Sequence, residues 1–251
     1  MRILFIGDIF GEETVDLLER ELINIKRQTN ANIVIANAEN ACKGRGLSEK
    51  LYTKLMKSGV NMITLGNHAF SKSEIVDFMN DSNIVRPANL DTEYGYGYKI
   101  LNYNGKTIAV VNMLGRIYNN QALDCPFKTM DKILATTKAD YYFVDFHADA
   151  TSEKLAFAHD FCQKVSAVVG THTHVQTADE RLISNMPYIT DVGMSGPLNG
   201  IIGNTKDEII KRFRTGVYHP AHVEQGAIQI NAVVIDLNPI RNKIERIHLE
   251  Y

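Results

Sequence analysis

Five apolar runs in this chain each lead to a side chain that can bind a metal ion. They deliver Asp8, Glu39 with Asn40, Asn67 with His68, His147, and His172 with His174. At the centre of the pattern stands Gly66-Asn67-His68, where a glycine turn after the apolar residues 62–65 presents an amide and an imidazole side by side. Such groups contribute little to a core, so their placement at a strand end points to chemistry. Carboxylate, amide oxygen and imidazole together suit Mn²⁺, Fe or Zn²⁺, whereas a structural zinc site would call for thiolates. Cys42, Cys125 and Cys162 are isolated, with no CxxC pair among them.

Asp8, Glu39, Asn40, Asn67, His147, His172 and His174 make seven candidate ligands, more than one ion takes from protein while keeping an open position. Two ions about 3.5–4 Å apart, bridged by Glu39, use the set economically. The pair His172 and His174 is expected in an extended segment, where residues i and i+2 face the same way. Taken singly, each residue has an ordinary role open to it. An Asp after a strand serves turns and caps, and His147 would sit equally well in a core. The joint occurrence at successive strand ends favours a site.

The elements that must position these groups follow from the pattern of apolar residues. Buried strands are expected at 3–6, 32–36, 62–65, 141–145 and 167–169. Amphipathic helices are expected over 12–29, from Ser48 as N-cap to Lys57 with Gly59 as the stop, over 73–80, within 127–137, from Thr151 or Ser152 to Lys164, and over 207–213. Short strands at 97–101 and 107–111 join through Asn104-Gly105, a hairpin signal. Further strands are expected near 188–190, at 227–236 and at 243–248, with a glycine-rich turn at 193–203. Residues 115–130 carry no clear period. Alternation of strand and helix predicts an α/β protein whose ligands gather beyond the carboxyl ends of the strands.

Composition bounds the rest. At 251 residues and 45% hydrophobic, the chain can bury a sizeable core, and one domain over residues 1–251 is expected. Its 27 Lys and Arg against 29 Asp and Glu, without blocks of one sign, exclude a broad footprint for extended nucleic acid. No segment approaches the roughly 18 consecutive apolar residues of a membrane span. The first apolar run is too short for a signal peptide, and the odd, unpaired cysteines fit a reducing compartment, so a cytoplasmic location is expected. His159, His219, His222 and His248 have no spacing that joins them to the cluster, although His219 and His222 follow the late helix. Arg45 and Arg116 read as solvated loop charges, with a phosphate or base contact as the functional alternative.

Gly7-Asp8, Glu39-Asn40, Gly66-Asn67-His68, His147 and Gly170-Thr171-His172-Thr173-His174, in this order, resemble the calcineurin-like metallophosphoesterase superfamily, and more closely its bacterial YmdB-like branch. The resemblance extends to the glycine-rich stretch Thr190-Asp191-Val192-Gly193-Met194-Ser195-Gly196-Pro197. Where the superfamily pattern carries His two residues after the first Asp, this chain has Phe10. Glu39-Asn40 stands where an Asp is usual, and Ala69 replaces the acid after His68.

The resemblance implies a four-layer α/β/β/α sandwich of two packed mixed sheets with helices outside. It implies two metal ions, Fe or Mn with Zn also admissible, one on Asp8, Asn40 and His174 and the other on Asn67, His147 and His172, with Glu39 bridging. His68 would not be a ligand but the proton donor to the leaving alkoxide, or a cation steadying the phosphorane-like transition state. The implied activity is a metal-dependent phosphodiesterase acting on small nucleotides, 2′,3′-cyclic nucleotides above all, with metal-activated hydroxide as nucleophile. Phosphomonoesterase or protein phosphatase action is the alternative, and a regulatory nucleotide binder with incidental turnover is another. A homo-oligomer is within the family expectation.

Overall fold

Ile3, Leu4, Phe5 and Ile6 are large and consecutive, so both faces of their strand must be covered. In the computed structural model, which describes residues 1–251, they lie fully buried in β1 (Arg2–Ile6). The first half continues through α1 (Glu12–Gln28), β2 (Ile33–Asn37), α2 (Glu49–Ser58), β3 (Met62–Thr64), α3 (Ile75–Phe78) and β4 (Ile84–Val85). The middle carries β5 (Tyr98–Tyr103), β6 (Lys106–Leu114), α4 (Pro126–Thr136), β7 (Tyr141–His147), α5 (Thr151–Phe161) and β8 (Ala167–Thr171). Then come β9 (Arg181–Ile183), β10 (Met186–Ile189), β11 (Gly196–Pro197), α6 (Lys206–Thr215), β12 (Ile228–Asp236) and β13 (Lys243–Glu250).

Two mixed sheets result. One has the order β11-β12-β1-β2-β3-β4 with β13 on β12, and the other the order β5-β6-β7-β8-β10-β9. Strands β1 to β4 are parallel, in register at Ile3 with Ile33 and Ile35 with Met62, while β12 returns antiparallel beside β1. The two-residue period of β1 assigns its faces. Leu4 and Ile6 pack with Leu18 and Leu22 of α1 and Leu55 of α2. Ile3 and Phe5 face the second sheet, where the Phe5 and Phe143 rings lie 5.4 Å apart. On the far side Phe157 and Phe161 of α5 and Met130 of α4 cover Val111, Val144 and Val168. Helix, sheet, sheet and helix are the four layers the resemblance implied.

Local signals behave as their chemistry requires. Ser48 caps α2 through its Oγ, which accepts the Leu51 N–H at 3.4 Å, and Gly59 ends it at φ 108°. Asn104 and Gly105 both adopt positive φ and turn β5 into β6. Three expectations need correction. The helix expected over 73–80 is the single turn α3, because residues 66–75 close short turns of their own, Ala69 N–H to Gly66 O and Ser71 N–H to His68 O. Helix α5 starts after Ala150 without a side-chain cap and ends at Phe161, short of Lys164. The glycine-rich stretch 193–203 is partly strand, since β11 pairs with β12.

Candidate active site

The segments leaving β1, β2, β3, β7 and β8 meet on one edge. Glu39 follows β2 and is buried, with Oε1 3.1 Å from Nε2 of His147 at the end of β7. Asn67, beyond β3, brings Oδ1 to 2.9 Å from the same nitrogen, and His172, beyond β8, brings Nδ1 to 2.9 Å. The ligand atoms of Glu39, His147 and His172 lie within 4.8 Å of one another. Asn40 and His174 touch beside this group, Asn40 Nδ2 standing 3.3 Å from His174 Nε2 and 3.3 Å from Glu39 Oε1. Asp8 enters from β1, where its Oδ2 accepts the His172 N–H at 2.9 Å and its Oδ1 lies 3.9 Å from His147 Nδ1.

All three imidazoles are held from outside. His147 Nδ1 meets Thr171 Oγ1 at 2.9 Å, and that hydroxyl donates to Asp145 Oδ1 at 2.7 Å. His172 Nε2 lies 3.2 Å from Asp149 Oδ2, and His174 Nδ1 donates to the Ile202 carbonyl at 3.1 Å. In each ring the outer nitrogen is anchored on oxygen and the inner one turns toward the cluster, the arrangement by which proteins orient imidazole ligands. Asp145 also accepts from Asn37 Nδ2 at 3.0 Å on β2 and Thr64 Oγ1 at 2.6 Å on β3. One buried carboxylate therefore ties both sheets together directly behind His147.

The backbone of the His172 segment is not extended. His172 has φ 109° and His174 φ 67°, conformations that bulky residues adopt only when their surroundings enforce them. Here the enforcement is visible. Asp8 takes the His172 N–H, and Asp191 Oδ2 takes the Thr173 N–H at 2.9 Å. Asp191 is itself fixed by Lys154, whose Nζ lies 2.9 Å away and also donates to Thr171 O at 2.8 Å, both side chains being fully buried. The expectation that a two-residue spacing would align both rings on one strand face therefore fails. His172 reaches the Glu39 and His147 group, while His174 reaches Asn40.

Electrostatics set the protonation states. Burial would lower the His147 pKa, but the carboxylates of Glu39, Asp8 and Asp145 outweigh it and raise it to about 9. Burial would likewise raise Glu39, yet the charge and hydrogen bond of His147, followed by His68, hold it well below the ordinary carboxylate range. Asp8 goes the other way, since burial, reinforced by Asp191 and Glu39 and opposed by His147, pushes it well up. Burial and then His147 bring His172 down to about 4, and burial lowers His174, so both rings keep the neutral form that binds metal.

These residues fit a metal. The Oδ1 of fully buried Asp8 has no hydrogen-bond partner, and a buried carboxylate oxygen without one is costly unless a cation faces it. The space is shaped as well, for a Cβ at Gly66 would stand 2.4 Å from Glu39 Oε2 and 2.6 Å from His147 Nε2. Asn40 presents its amide nitrogen, not its oxygen, to Glu39 and His174, so to act as an oxygen ligand its amide would have to turn over. His68 stands at the rim, its N–H bonded to Glu39 Oε2 at 2.8 Å, its Nδ1 3.1 Å from Asn40 Oδ1 and its Nε2 3.3 Å from Asn67 Nδ2.

Sequence reasoning missed Asp145, Asp149, Lys154, Asn37 and Thr64. For Asp145 and Asn37 the available signal was an acid or amide inside an apolar strand run, as in Tyr141-Tyr142-Phe143-Val144-Asp145, where an unpaired charge cannot be left, and the other three carried none. Arg45 lines the cleft beside the site and Arg116 does not. His159 and His222 are exposed, and His248 bonds Asn231 Oδ1 at 2.8 Å on the β12–β13 hairpin.

Paired mixed sheets with carboxylate, amide and imidazole donors gathered beyond their strand ends define a calcineurin-like metallophosphoesterase fold. Within that class the chain belongs to the YmdB-like protein family, whose model matches residues 4–249. It is 45% identical over 255 residues to a Bacillus subtilis protein named 2′,3′-cyclic-nucleotide 2′-phosphodiesterase, the match covering 98% of this chain and 96% of that one. Among solved structures it resembles a Thermus thermophilus protein described as hypothetical, at TM-score 0.95 and 38% identity, covering 100% of this chain and 99% of the other. It also resembles a Mycoplasma pneumoniae protein described as a novel phosphatase, at TM-score 0.94 and 36% identity, covering 100% and 93%. No helix is long and apolar enough to cross a membrane.

Proposed function

We propose that the chain is a dinuclear-metal phosphodiesterase that hydrolyses small nucleotide phosphodiesters, 2′,3′-cyclic nucleotides in particular. The observation that carries this reading is the trio of imidazoles, each anchored outside on oxygen and turned inward, His147 and His172 toward Glu39 and His174 toward Asn40. The name of the B. subtilis relative supports the choice of substrate. Asn67, His147 and His172 would hold one ion, Asp8, Asn40 and His174 the other, and Glu39 would bridge them. Fe or Mn suits this hard and borderline donor set, and Zn is admissible. When bound, the metal supplies charge that polarises a phosphoryl oxygen and makes water nucleophilic near neutral pH.

The chain's own residues do the rest. Glu39, held ionised between His147 and the His68 N–H, keeps its two oxygens at fixed directions. Asp145, through Thr171, holds the His147 ring so that Nε2 faces inward. His68 gives Nδ1–H to Asn40 Oδ1, so it would be the imidazolium, with a second proton on Nε2, that protonates the leaving oxygen. The His68 side chain keeps 25% of its surface open, so the ring is accessible from solvent.

The core shared by the two sheets supports one domain over residues 1–251, and three free cysteines favour a reducing, cytoplasmic setting. The test is turnover of 2′,3′-cyclic AMP by chelator-treated protein before and after Mn²⁺ is restored. Metal-dependent release of nucleoside monophosphate is expected, and its absence in metal-replete protein would refute the activity. The phosphatase description of the M. pneumoniae relative supports a second reading, which a higher kcat/KM on phosphoserine peptides than on the cyclic nucleotide would favour.

A further inference from the structure

A cleft of about 330 Å³ opens from the donor cluster, with Asn67, His147 and His172 on its floor. That volume lies at the small end of ligand cavities, about 300–1,000 Å³. One wall is the segment that follows β6, and it differs in kind from the floor. Ile117 and Tyr118 present apolar surface there although they are 47% and 83% exposed, and the amides of Asn119 and Asn120 stand beside them. No charged side chain on that segment lines the cleft. Arg45, beyond β2, also lines the cleft and bonds Ser71 Oγ at 3.3 Å.

This wall is built. Glu153 at the start of α5 accepts the Arg116 and Ile117 N–H groups on its two carboxylate oxygens, at 3.0 and 3.1 Å. At the other end Gln121 Nε2 donates to the carbonyl of Asn67, at 3.1 Å, so the segment is tied to a candidate ligand residue. Gly115 permits the approach, since a Cβ there would stand 2.4 Å from the Cβ of Ala148. Between these ties Tyr118 is held at φ 61°, a conformation costly for an aromatic residue, with its ring left to solvent.

We infer that this wall is the nucleobase subsite: with the phosphodiester on the donor cluster, the base stacks on Tyr118 over Ile117 and its edge meets the amides of Asn119 and Asn120. The inference rests on the phosphodiesterase reading and deepens it. A base is flat and neutral and carries donors and acceptors on its edge, which matches an uncharged wall of one ring, one aliphatic chain and two amides. Arg45, lining the same cleft, supplies a cation for a ribose or phosphate oxygen.

The experiment compares 2′,3′-cyclic AMP with 1-O-methylribose 2′,3′-cyclic phosphate, which lacks the base, on the wild type, Tyr118→Ala and Tyr118→Phe. The wild type should favour the nucleotide by about tenfold in kcat/KM, the lower range for stacking on one aromatic side chain. Tyr118→Ala should lose that preference through KM, leave the base-free ester unchanged and melt as the wild type does, while Tyr118→Phe retains the preference. Equal wild-type rates on both esters, or an equal loss on both in Tyr118→Ala, would overturn the subsite and leave the phosphodiesterase reading intact. Should neither ester turn over, that reading fails by itself, and calorimetric binding of adenosine 3′-monophosphate decides the subsite. Affinity about tenfold weaker in Tyr118→Ala supports it, and unchanged affinity overturns it.

Discussion

Asp8→Asn should make the metal-free protein more stable and the metal-bound protein less so. Asp8 is fully buried, its Oδ2 is bonded to the His172 N–H, and its Oδ1 has no partner. An unsatisfied buried polar group costs about 1–3 kcal/mol, and more when charged. In a chain of this size each kcal/mol moves the melting temperature by about 2–4 °C. The amide oxygen of Asn can keep the His172 bond while the charge disappears, so Asp8→Asn should melt higher by about 2–12 °C at pH 7 in chelator.

The sign with pH follows from the direction of the shift. Burial raises the folded pKa of Asp8 above its unfolded value, so between the two values the folded state holds the extra proton and stability falls as pH rises. The difference between variant and wild type should therefore be small in acid and open to its full size once pH exceeds the raised value. Mn²⁺ at about a hundredfold excess over its Kd should then stabilise the wild type by about 2.7 kcal/mol and the variant by much less. Thermal melts across pH, with and without Mn²⁺, read all three quantities. A lower melting temperature for metal-free Asp8→Asn at pH 7, or an equal Mn²⁺ shift in both proteins, would refute the reasoning.

Three further outcomes are expected. His68→Ala should keep its metals by elemental analysis and lose about 10²–10⁴-fold in kcat, the usual contribution of a positioned acid, and a metal-free variant would make His68 a ligand instead. Gly66→Ala puts a methyl 2.4 Å from Glu39 Oε2, so calorimetry should find Mn²⁺ affinity reduced by about 10–100-fold, as when the support of a ligand is disturbed. Lys154→Met leaves Asp191 buried and unpaired, which should destabilise by about 3–5 kcal/mol in denaturant titration, and adding Asp191→Asn should recover part of that loss.

Much of the fold was legible because β1, β7 and β8 are apolar runs that admit little besides a covered strand, and because Ser48, Gly59 and Asn104-Gly105 state their local geometry chemically. Strands β4 and β9 were not legible, since two or three residues carry no period and owe their conformation to β3 and β10. The segment over 115–125 has no period either, because it is irregular and fixed by Glu153 and Asn67 rather than by its own sequence. The candidate ligands were legible as types at strand ends. The direction of His172 was not, for the backbone there is bent by Asp8 and Asp191, which are far from it or on another segment of the chain.

Phe10 shows how the departure from the superfamily pattern is absorbed. Its ring is buried and meets the His174 ring edge-on, with centroids 5.6 Å apart and planes at 77°. Two glycines close on it, for a Cβ at either Gly44 or Gly203 would lie 2.6 Å from a ring carbon, and both have positive φ. A side chain that offers no donor thus packs one wall of the site and fixes His174 by contact. The polar contact of His174 Nε2 then falls to Asn40 on the adjacent loop, which touches Glu39, His68 and His174 at once. On one side of the cluster stand Asp8, one imidazole and an amide that must turn over, and on the other the two imidazoles of His147 and His172 with Asn67 Oδ1. Asn40 is therefore the candidate ligand that needs a rearrangement, the turning of its amide, before its oxygen faces the cluster.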